Sequence, residues 1–449
     1  MVSCNIEKLE SELNEVYNEF YSEDNEKITL SFCEKERFYY TVNCYDLHRE
    51  YDYENVCGDE LIKKRYIKRY AKLSLYLFLS EKTHKNLPWG ALTGIRPTKL
   101  YYQNITDADY FFKGLMKVSD KKYEIVKKIA KAQADYYKPS DSSADFFVGI
   151  PMCPTRCQYC SFISAEISKV SVVNEYIEAL CYEIEQSKKL CENIRSVYIG
   201  GGTPVSLPVP YLKKVLDAIG TVNTEYTVEA GRPDCITEEV LRLLKDYNVT
   251  RVCVNPQTFK DETLKLIGRN HDSRQVIEKY RLAKSFGFDV NMDLIAGLPL
   301  ETYDDFCLSL QKAVSLAPDN ITVHTLCLKK GSKLKELCSR LPEGEVEKMI
   351  DYAYETLTKA GYSPYYLYRQ KYMAGNLENT GYALKGKECI YNIDVMEEIS
   401  QNVACGANAV SKRIFCSGER IERYGSPKDL PTYIAKVENI VQKKQELFS

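Results

Sequence analysis

The sequence predicts an α/β fold: an incomplete (β/α)6 TIM-like barrel, preceded by an α+β N-terminal module and followed by a small C-terminal domain. Three observations lead there. Short β-branched or aromatic runs recur six times between residues 145 and 326, and amphipathic helical segments separate them. Six strands are too few to close an eight-stranded barrel. A chain of 449 residues also exceeds what one core ordinarily fills, so two or three domains are expected.

The six runs are DFFVGI (145–150), SVYIGG (196–201), YTVEAG (226–231), TRVCVN (250–255), DVNMDLIAG (289–297) and ITVHTL (321–326). Helical segments are expected at 171–191, 208–219, 237–246, 274–286 and 303–316. In the third of these, Val240, Leu241, Leu243 and Leu244 recur at the helix period. Successive βα units imply a parallel sheet with helices outside, and one open side would suit a large substrate.

Residues 1–143 read as the separate α+β module. KITLSF (27–32) and RFYYTVN (37–43) alternate as a strand hairpin, and a helix is expected from Asp59 to about Ser80. LPWGALTGIRPTKL (87–100) reads as an ordered loop carrying Trp89, the only tryptophan, with helices expected at 106–117 and 119–136. Turn-forming residues crowd Lys138–Ser143 and mark a boundary. The barrel is expected over 144–335. Beyond it the βα rhythm breaks into a helix (344–360), the aromatic strand YYLYRQ (365–370) and a Gly- and Asn-rich stretch, read as a domain over 336–449.

Composition narrows the compartment and the partners. A net charge of −2 gives no general reason to expect nucleic acid or membrane binding. The charge is unevenly placed. Residues 1–60 hold 16 acidic and 5 basic side chains, and residues 61–140 hold 6 and 18. Two solvated faces that attract each other explain this as well as a basic partner surface does. The N-terminal segment lacks an apolar core flanked by basic residues, and no stretch reaches the ~20 apolar residues that span a bilayer. The chain is therefore read as cytoplasmic. In that compartment its 17 cysteines are expected as thiols, and a close cluster among them points to metal.

One such cluster exists. Cys153, Cys157 and Cys160 stand at C-x3-C-x2-C directly after the first barrel strand. Three thiolates in eight residues can wrap one side of a [4Fe–4S] cubane and leave a fourth iron without a protein ligand. Three unrelated buried thiols or a zinc site are the plainer readings. Random scattering of the cysteines would give this triplet about 0.02 times. Zinc would want a fourth nearby ligand, and the next cysteine, Cys181, falls inside a predicted helix.

Further candidates follow the other strands. Gly200, Gly201, Gly202, Thr203 and Pro204 follow the second, where glycine lets backbone amides approach a ligand closely, although a tight βα turn would also use it. Glu229 ends the third strand, where a solvated carboxylate is the ordinary explanation. Asp293 sits in a strongly apolar strand, where a carboxylate is costly unless bonded. His324, ending the sixth strand, fits a satisfied structural histidine equally well. These positions and the triplet share the C-terminal ends of strands, where parallel α/β sheets place their sites.

The triplet after a strand that opens an incomplete barrel resembles the radical S-adenosylmethionine superfamily. IPMCPTRCQYC, YIGGGTP, EAGRPD, NPQTF and DLIAGLP are similar to segments of the oxygen-independent coproporphyrinogen III oxidases. LTGIRPTKL and ECIYNIDVMEEI are similar to their HemZ-type branch. The resemblance implies that S-adenosyl-L-methionine chelates the open iron and is cleaved to a 5′-deoxyadenosyl radical. It places Gly201, Gly202 and Thr203 near the methionine amino group, Glu229 and Gln257 on the cofactor, Arg269 on its carboxylate and Asp293 near its ribose. A helix C-terminal cation is the ordinary explanation for Arg269. The implied reaction is oxidative decarboxylation of two propionates of coproporphyrinogen III to vinyl groups, giving protoporphyrinogen IX. The implied partners are a tetrapyrrole substrate and a low-potential donor of flavodoxin or ferredoxin type, with the chain acting as a monomer. Two positions differ from well-matched decarboxylases. Phe162 stands where they carry a fourth cysteine, and Gly149 where they carry a histidine. Relatives that bind or traffic haem share both differences, so a haem chaperone and a radical enzyme for another tetrapyrrole stand as alternatives. A plain Fe–S electron-transfer protein would leave the cofactor motifs without purpose.

Overall fold

A computed structural model describes the chain except residues 22–25, 46, 57, 94–95, 161–164, 328–342, 371–372, 416–417 and 419. It divides into two compact units. One comprises Met1–Lys127 with Arg369 and Gly375–Leu377; the other holds Lys128–Tyr368 and Glu378–Ser449. The sequence boundary expected near 335 lies outside the described residues.

In the first unit, β1 (Val2–Cys4), β2 (Ile28–Glu34), β3 (Arg37–Cys44) and β4 (Leu47–Glu54) form a four-stranded sheet in that order. The expected hairpin is β2–β3, antiparallel from Thr29↔Asn43 to Glu34↔Phe38. Helix Glu60–Thr83 is N-capped by Asp59, whose carboxylate accepts the Leu61 amide. Its lysines meet acids from earlier in the chain: Lys68 and Lys72 both reach Glu12 at 3.0 Å, and Lys82 reaches Glu26 at 3.4 Å. The uneven charge of this region is thus partly spent on pairs between its own elements. The helical stretch expected at 106–117 is present as a 3₁₀ turn (Ile105–Asp107) followed by a π-helical stretch (Tyr110–Leu115).

The second unit is built on β5 (Ser143–Ile150), a short parallel pair β6 (Met152–Cys153) and β7 (Ala165–Glu166), and β8 (Asn193–Gly201). Next come β9 (Glu225–Val228), β10 (Arg251–Cys253), β11 (Asp289–Ala296) and β12 (Asn320–Thr325). β5 and β8–β12 pair in parallel in chain order. These are the six expected strands, and helices Val173–Lys188, Val209–Ile219, Glu238–Asp246, Ser273–Ser285 and Tyr303–Leu316 fall between them as expected. Thr237, Asp272 and Thr302 cap three of these helices through their side chains, which fixes where each begins.

The strands beyond residue 360 enter the same sheet at both edges. β13 (Ser363–Tyr368) and β14 (Asn379–Ala383) extend it from β12 with antiparallel pairing. β15 (Gln401–Cys405) pairs in parallel with β5, followed by β16 (Val410–Phe415) and β17 (Arg420–Gly425). The sheet is open, with β13 at one end and β17 at the other. No helix among the described residues is long and apolar enough to cross a membrane.

The C-terminal helix Val437–Phe448 is fastened by a buried ion pair. Lys444 lies 2.7 Å from Glu183, both side chains fully excluded from water. Lys444 also donates to Ser187 Oγ and Cys405 Sγ, while Glu183 accepts the Gly406 amide and the Tyr433 hydroxyl. Removing one partner of a buried pair leaves an uncompensated charge. Lys444→Met is therefore expected to cost about 3–5 kcal/mol, read as faster hydrogen exchange in helix 437–448; parental protection there would show that the pair does not hold the helix.

Candidate functional site

The chain leaves β5 through Pro151 and immediately forms the short strand that carries Cys153. What fixes this segment is the approach of the β8 terminus. A Cβ on Gly202 would stand 2.5 Å from the Met152 carbonyl oxygen and 2.8 Å from that of Ile150, and Gly201 adopts φ +100°. Only glycine fits such backbone contact. The next amide, Thr203, donates to the Met152 carbonyl at 2.8 Å. The glycine motif thus props the cysteine strand directly. From the other side, the Gln158 amide donates to the Ile267 carbonyl at 3.0 Å, and Tyr159 packs against Leu264, Ile267, Ile295, Leu298 and Leu326.

The sulfurs of Cys153 and Cys157 meet side-chain donors. The Thr203 hydroxyl donates to Cys153 Sγ at 3.5 Å. Arg232 donates to Cys157 Sγ at 3.7 Å. All three cysteines carry thiols and are partly exposed. Among the described residues no three His, Cys, Asp or Glu side chains converge on a single metal ion. An iron–sulfur cluster asks for a different arrangement, because each thiolate binds its own iron. A loop of three thiolates, two of them already hydrogen-bonded, fits that donor chemistry. Phe162 lies outside the described residues.

Of the remaining candidates, Glu229 and Gln257 lie just past strand ends, Asp293 lies within β11, and Arg269 lies in the loop before helix Ser273–Ser285. Arg269 is buried; its terminal nitrogens donate to the Gly231 carbonyl and the Tyr159 hydroxyl, each at 2.8 Å, and its Nε has no hydrogen-bond partner. The guanidinium therefore adjoins the cysteine loop with one buried donor unused. Gln257 holds φ +65° and bridges to β11: its amide donates to the Asp293 carbonyl and its carbonyl accepts the Ile295 amide, both at 2.9 Å.

Asp293 is held by amides and a histidine. Asn255 donates to its Oδ2 and Asn291 to its Oδ1, each at 2.8 Å, and His324 Nε2 lies 3.6 Å from Oδ2. Burial pushes its carboxyl up, but His324, Asn291 and Thr322 outweigh this and hold it below the usual range. Glu229 goes the other way. Burial chiefly, aided by repulsion from Asp293, pushes its carboxyl up to about 7, against hydrogen bonds from Tyr198 and the Gly201 amide. The Tyr198 hydroxyl donates to Glu229 at 2.7 Å, and its ring stacks on Tyr391 with centroids 4.3 Å apart. Two carboxylates on nearby strands are thus biased toward opposite protonation states.

Sequence reasoning did not single out Arg232, Tyr159, Tyr198, Asn255 or Asn291. Arg232 had a signal, an acid two residues on in EAGRPD, and the two do pair through both carboxylate oxygens. The two asparagines announce nothing until β10 and β11 stand side by side.

Comparison with known proteins agrees with this geometry. Residues 147–313 match the Radical SAM superfamily family model. The chain is 38% identical over 381 residues to the oxygen-independent coproporphyrinogen-III oxidase-like protein HemZ of Bacillus subtilis (strain 168), covering 79% of this chain and 76% of that protein. It is 29% identical over 314 residues to the heme chaperone HemW of Lactococcus lactis subsp. lactis (strain IL1403), covering 66% and 77%. Among solved structures, the coproporphyrinogen III oxidase HemN of Escherichia coli shares its fold with a TM-score of 0.55 at 21% identity, covering 69% of this chain and 71% of that one.

The Glu229 carboxyl carries a pH signature. Between its ordinary value of 4.5 and about 7, the folded chain keeps a proton that the unfolded chain has lost. Its contribution to stability therefore falls as pH rises through that window and levels off above it. Thermal unfolding of Glu229→Gln should lack this decline; identical pH dependence in parent and variant would contradict the raised value.

Proposed function

We infer function from one premise: this chain belongs to the radical S-adenosylmethionine superfamily and, within it, to the HemZ family of oxygen-independent coproporphyrinogen-III oxidase-like proteins. The cofactors of that superfamily are a [4Fe–4S] cluster and S-adenosyl-L-methionine. When bound, they supply one electron and a cleavable sulfonium, yielding a 5′-deoxyadenosyl radical that abstracts hydrogen from substrate.

The chain's own part is to hold and orient. Cys153, Cys157 and Cys160 bind three irons. The backbone of Gly201–Gly202–Thr203 and the Glu229 carboxyl receive the methionine amino group, and Arg269 faces its carboxylate with a charge-assisted contact. Asp293, kept ionised by its amide and histidine neighbours, accepts the ribose hydroxyls, and Gln257 bonds the same cofactor. The observation that carries this reading is the placement of the cysteine loop and Glu229 just past the C-terminal ends of β5 and β9, with Asp293 in the C-terminal half of β11, in one parallel sheet.

The substrate on this reading is coproporphyrinogen III, decarboxylated at two propionates to protoporphyrinogen IX in haem biosynthesis. The abstraction needs no protein general base, so no catalytic side chain is assigned. The segment 336–449 completes the substrate site; the Tyr198–Tyr391 stack ties it to the tyrosine that donates to Glu229. The enzyme works in the cytoplasm as a monomer, fed by a flavodoxin- or ferredoxin-type donor, and takes neither nucleic acid nor membrane as a partner.

A second reading, haem delivery, is favoured by the similarity to heme chaperones and by Gly149. A Cβ there would stand 3.2 Å from the Phe147 ring and 3.3 Å from the Cys405 carbonyl oxygen, so a histidine in that place would need both to shift.

Anaerobic incubation of the cluster-loaded chain with S-adenosyl-L-methionine, a strong reductant and coproporphyrinogen III should yield 5′-deoxyadenosine and porphyrins lighter by one and two formic acid equivalents in mass spectra. Deoxyadenosine without them would send the search to other tetrapyrroles. Tight stoichiometric haem binding without cofactor turnover would support the chaperone. Cys157→Ala should lose the brown cluster absorbance and all deoxyadenosine while its far-UV circular dichroism persists; a full four-iron complement in that variant would sink the ligand assignment.

A further inference from the structure

Arg232 is buried, with a side chain only 3% exposed. Its Nε and one terminal nitrogen grip the two oxygens of Asp234 at 2.9 and 2.8 Å. This fork fixes the plane of the guanidinium and directs the other terminal nitrogen at the cysteine loop. There it donates to Thr155 Oγ1 at 3.0 Å and to Cys157 Sγ at 3.7 Å. None of the cofactor contacts proposed above requires Arg232. A water-excluded cation built on a bidentate carboxylate, with its remaining donor aimed at a thiolate, calls for a separate account.

We propose that Arg232 is a positioning residue that sets the reduction potential of the cluster through Cys157, with Asp234 as its counterweight. The inference rests on the assignment of Cys157 as a cluster ligand. Reduction adds negative charge to a cluster, and hydrogen bonds to its sulfurs together with nearby positive charge favour the reduced state. Arg232 supplies both at one ligand and so raises the potential toward the reach of a physiological donor. Thr203, donating to Cys153, acts in the same direction without the charge. Asp234 both orients the fork and cancels part of its field.

The test is an anaerobic redox titration of the reconstituted full chain, followed by electron paramagnetic resonance, with iron counted in every sample. In Arg232→Met, the ratio of reduced to oxidised cluster at a fixed potential should fall roughly tenfold, which is 59 mV for a one-electron couple. Arg232→Lys, which keeps the charge but not the fork, should recover part of that loss. Asp234→Asn should shift the other way, because the counter-charge is gone and the guanidinium remains. A full iron complement in Arg232→Met with an unchanged potential would overturn the proposal while leaving the cluster assignment intact. If that variant fails to hold iron, Asp234→Asn decides: a potential equal to or below that of the parent overturns the role of Arg232. A parent chain that holds no iron would instead overturn the ligand assignment on which the inference rests.

Discussion

The site depends on one close backbone approach, that of the β8 terminus to the strand carrying Cys153. With Gly202 pressed against the Met152 and Ile150 carbonyls, the segment after β5 cannot swing outward. That contact sets where the cysteine loop begins. The opposite wall, from Ile267 through Tyr159 to Arg269, sets where it ends. Between these walls Thr203, at the β8 terminus, donates to Cys153, and Arg232, beyond the β9 terminus, donates to Cys157. A loop of this kind gains its order from the strands beneath it, which is how an α/β barrel generally supports chemistry on mobile connections.

Polar residues elsewhere in the site form a layer just below the strand ends. Asn255, Asn291, Asp293, Thr322 and His324 link β10, β11 and β12, and Tyr198 links β8 to Glu229. Such a network is costly when half satisfied and rigid when complete. It also separates two carboxylates by environment. Asp293 is surrounded by donors and stays ionised, whereas for Glu229 burial outweighs its hydrogen bonds and it resists ionisation.

Much of this was legible in the chain. The six barrel strands announced themselves by β-branched runs, the helices by apolar period, and the cysteines by spacing that chance does not produce. What stayed hidden was non-local or amphiphilic. β4, LHREYDYE, alternates Leu47, Tyr51 and Tyr53 with polar residues, but Arg49 interrupts its inner side and its one aliphatic residue gives a weak signal. The pairing of β15 with β5, and of β14 with β12, joins segments far apart in sequence. The partnership of Arg232 with Cys157 spans 75 residues, and that of Lys444 with Glu183 joins the last helix to the first helix of the barrel. No local pattern encodes such contacts. They exist because the sheet order places the segments together.

That order has a consequence in time. β5 is flanked by β8 on one side and by β15 on the other, and its register with β15 matches Val148 to Cys405. On a ribosome adding ~5–20 residues per second, the second flank is synthesised roughly 13–50 s after the first barrel strand emerges. Throughout that interval β5 presents an unpaired parallel edge immediately beside the cysteine loop. The nascent chain therefore passes through a stage in which its three clustered cysteines exist but the sheet beside them is open. Cluster delivery and protection of that edge against wrong pairing fall in the same window, and the final hundred residues close it.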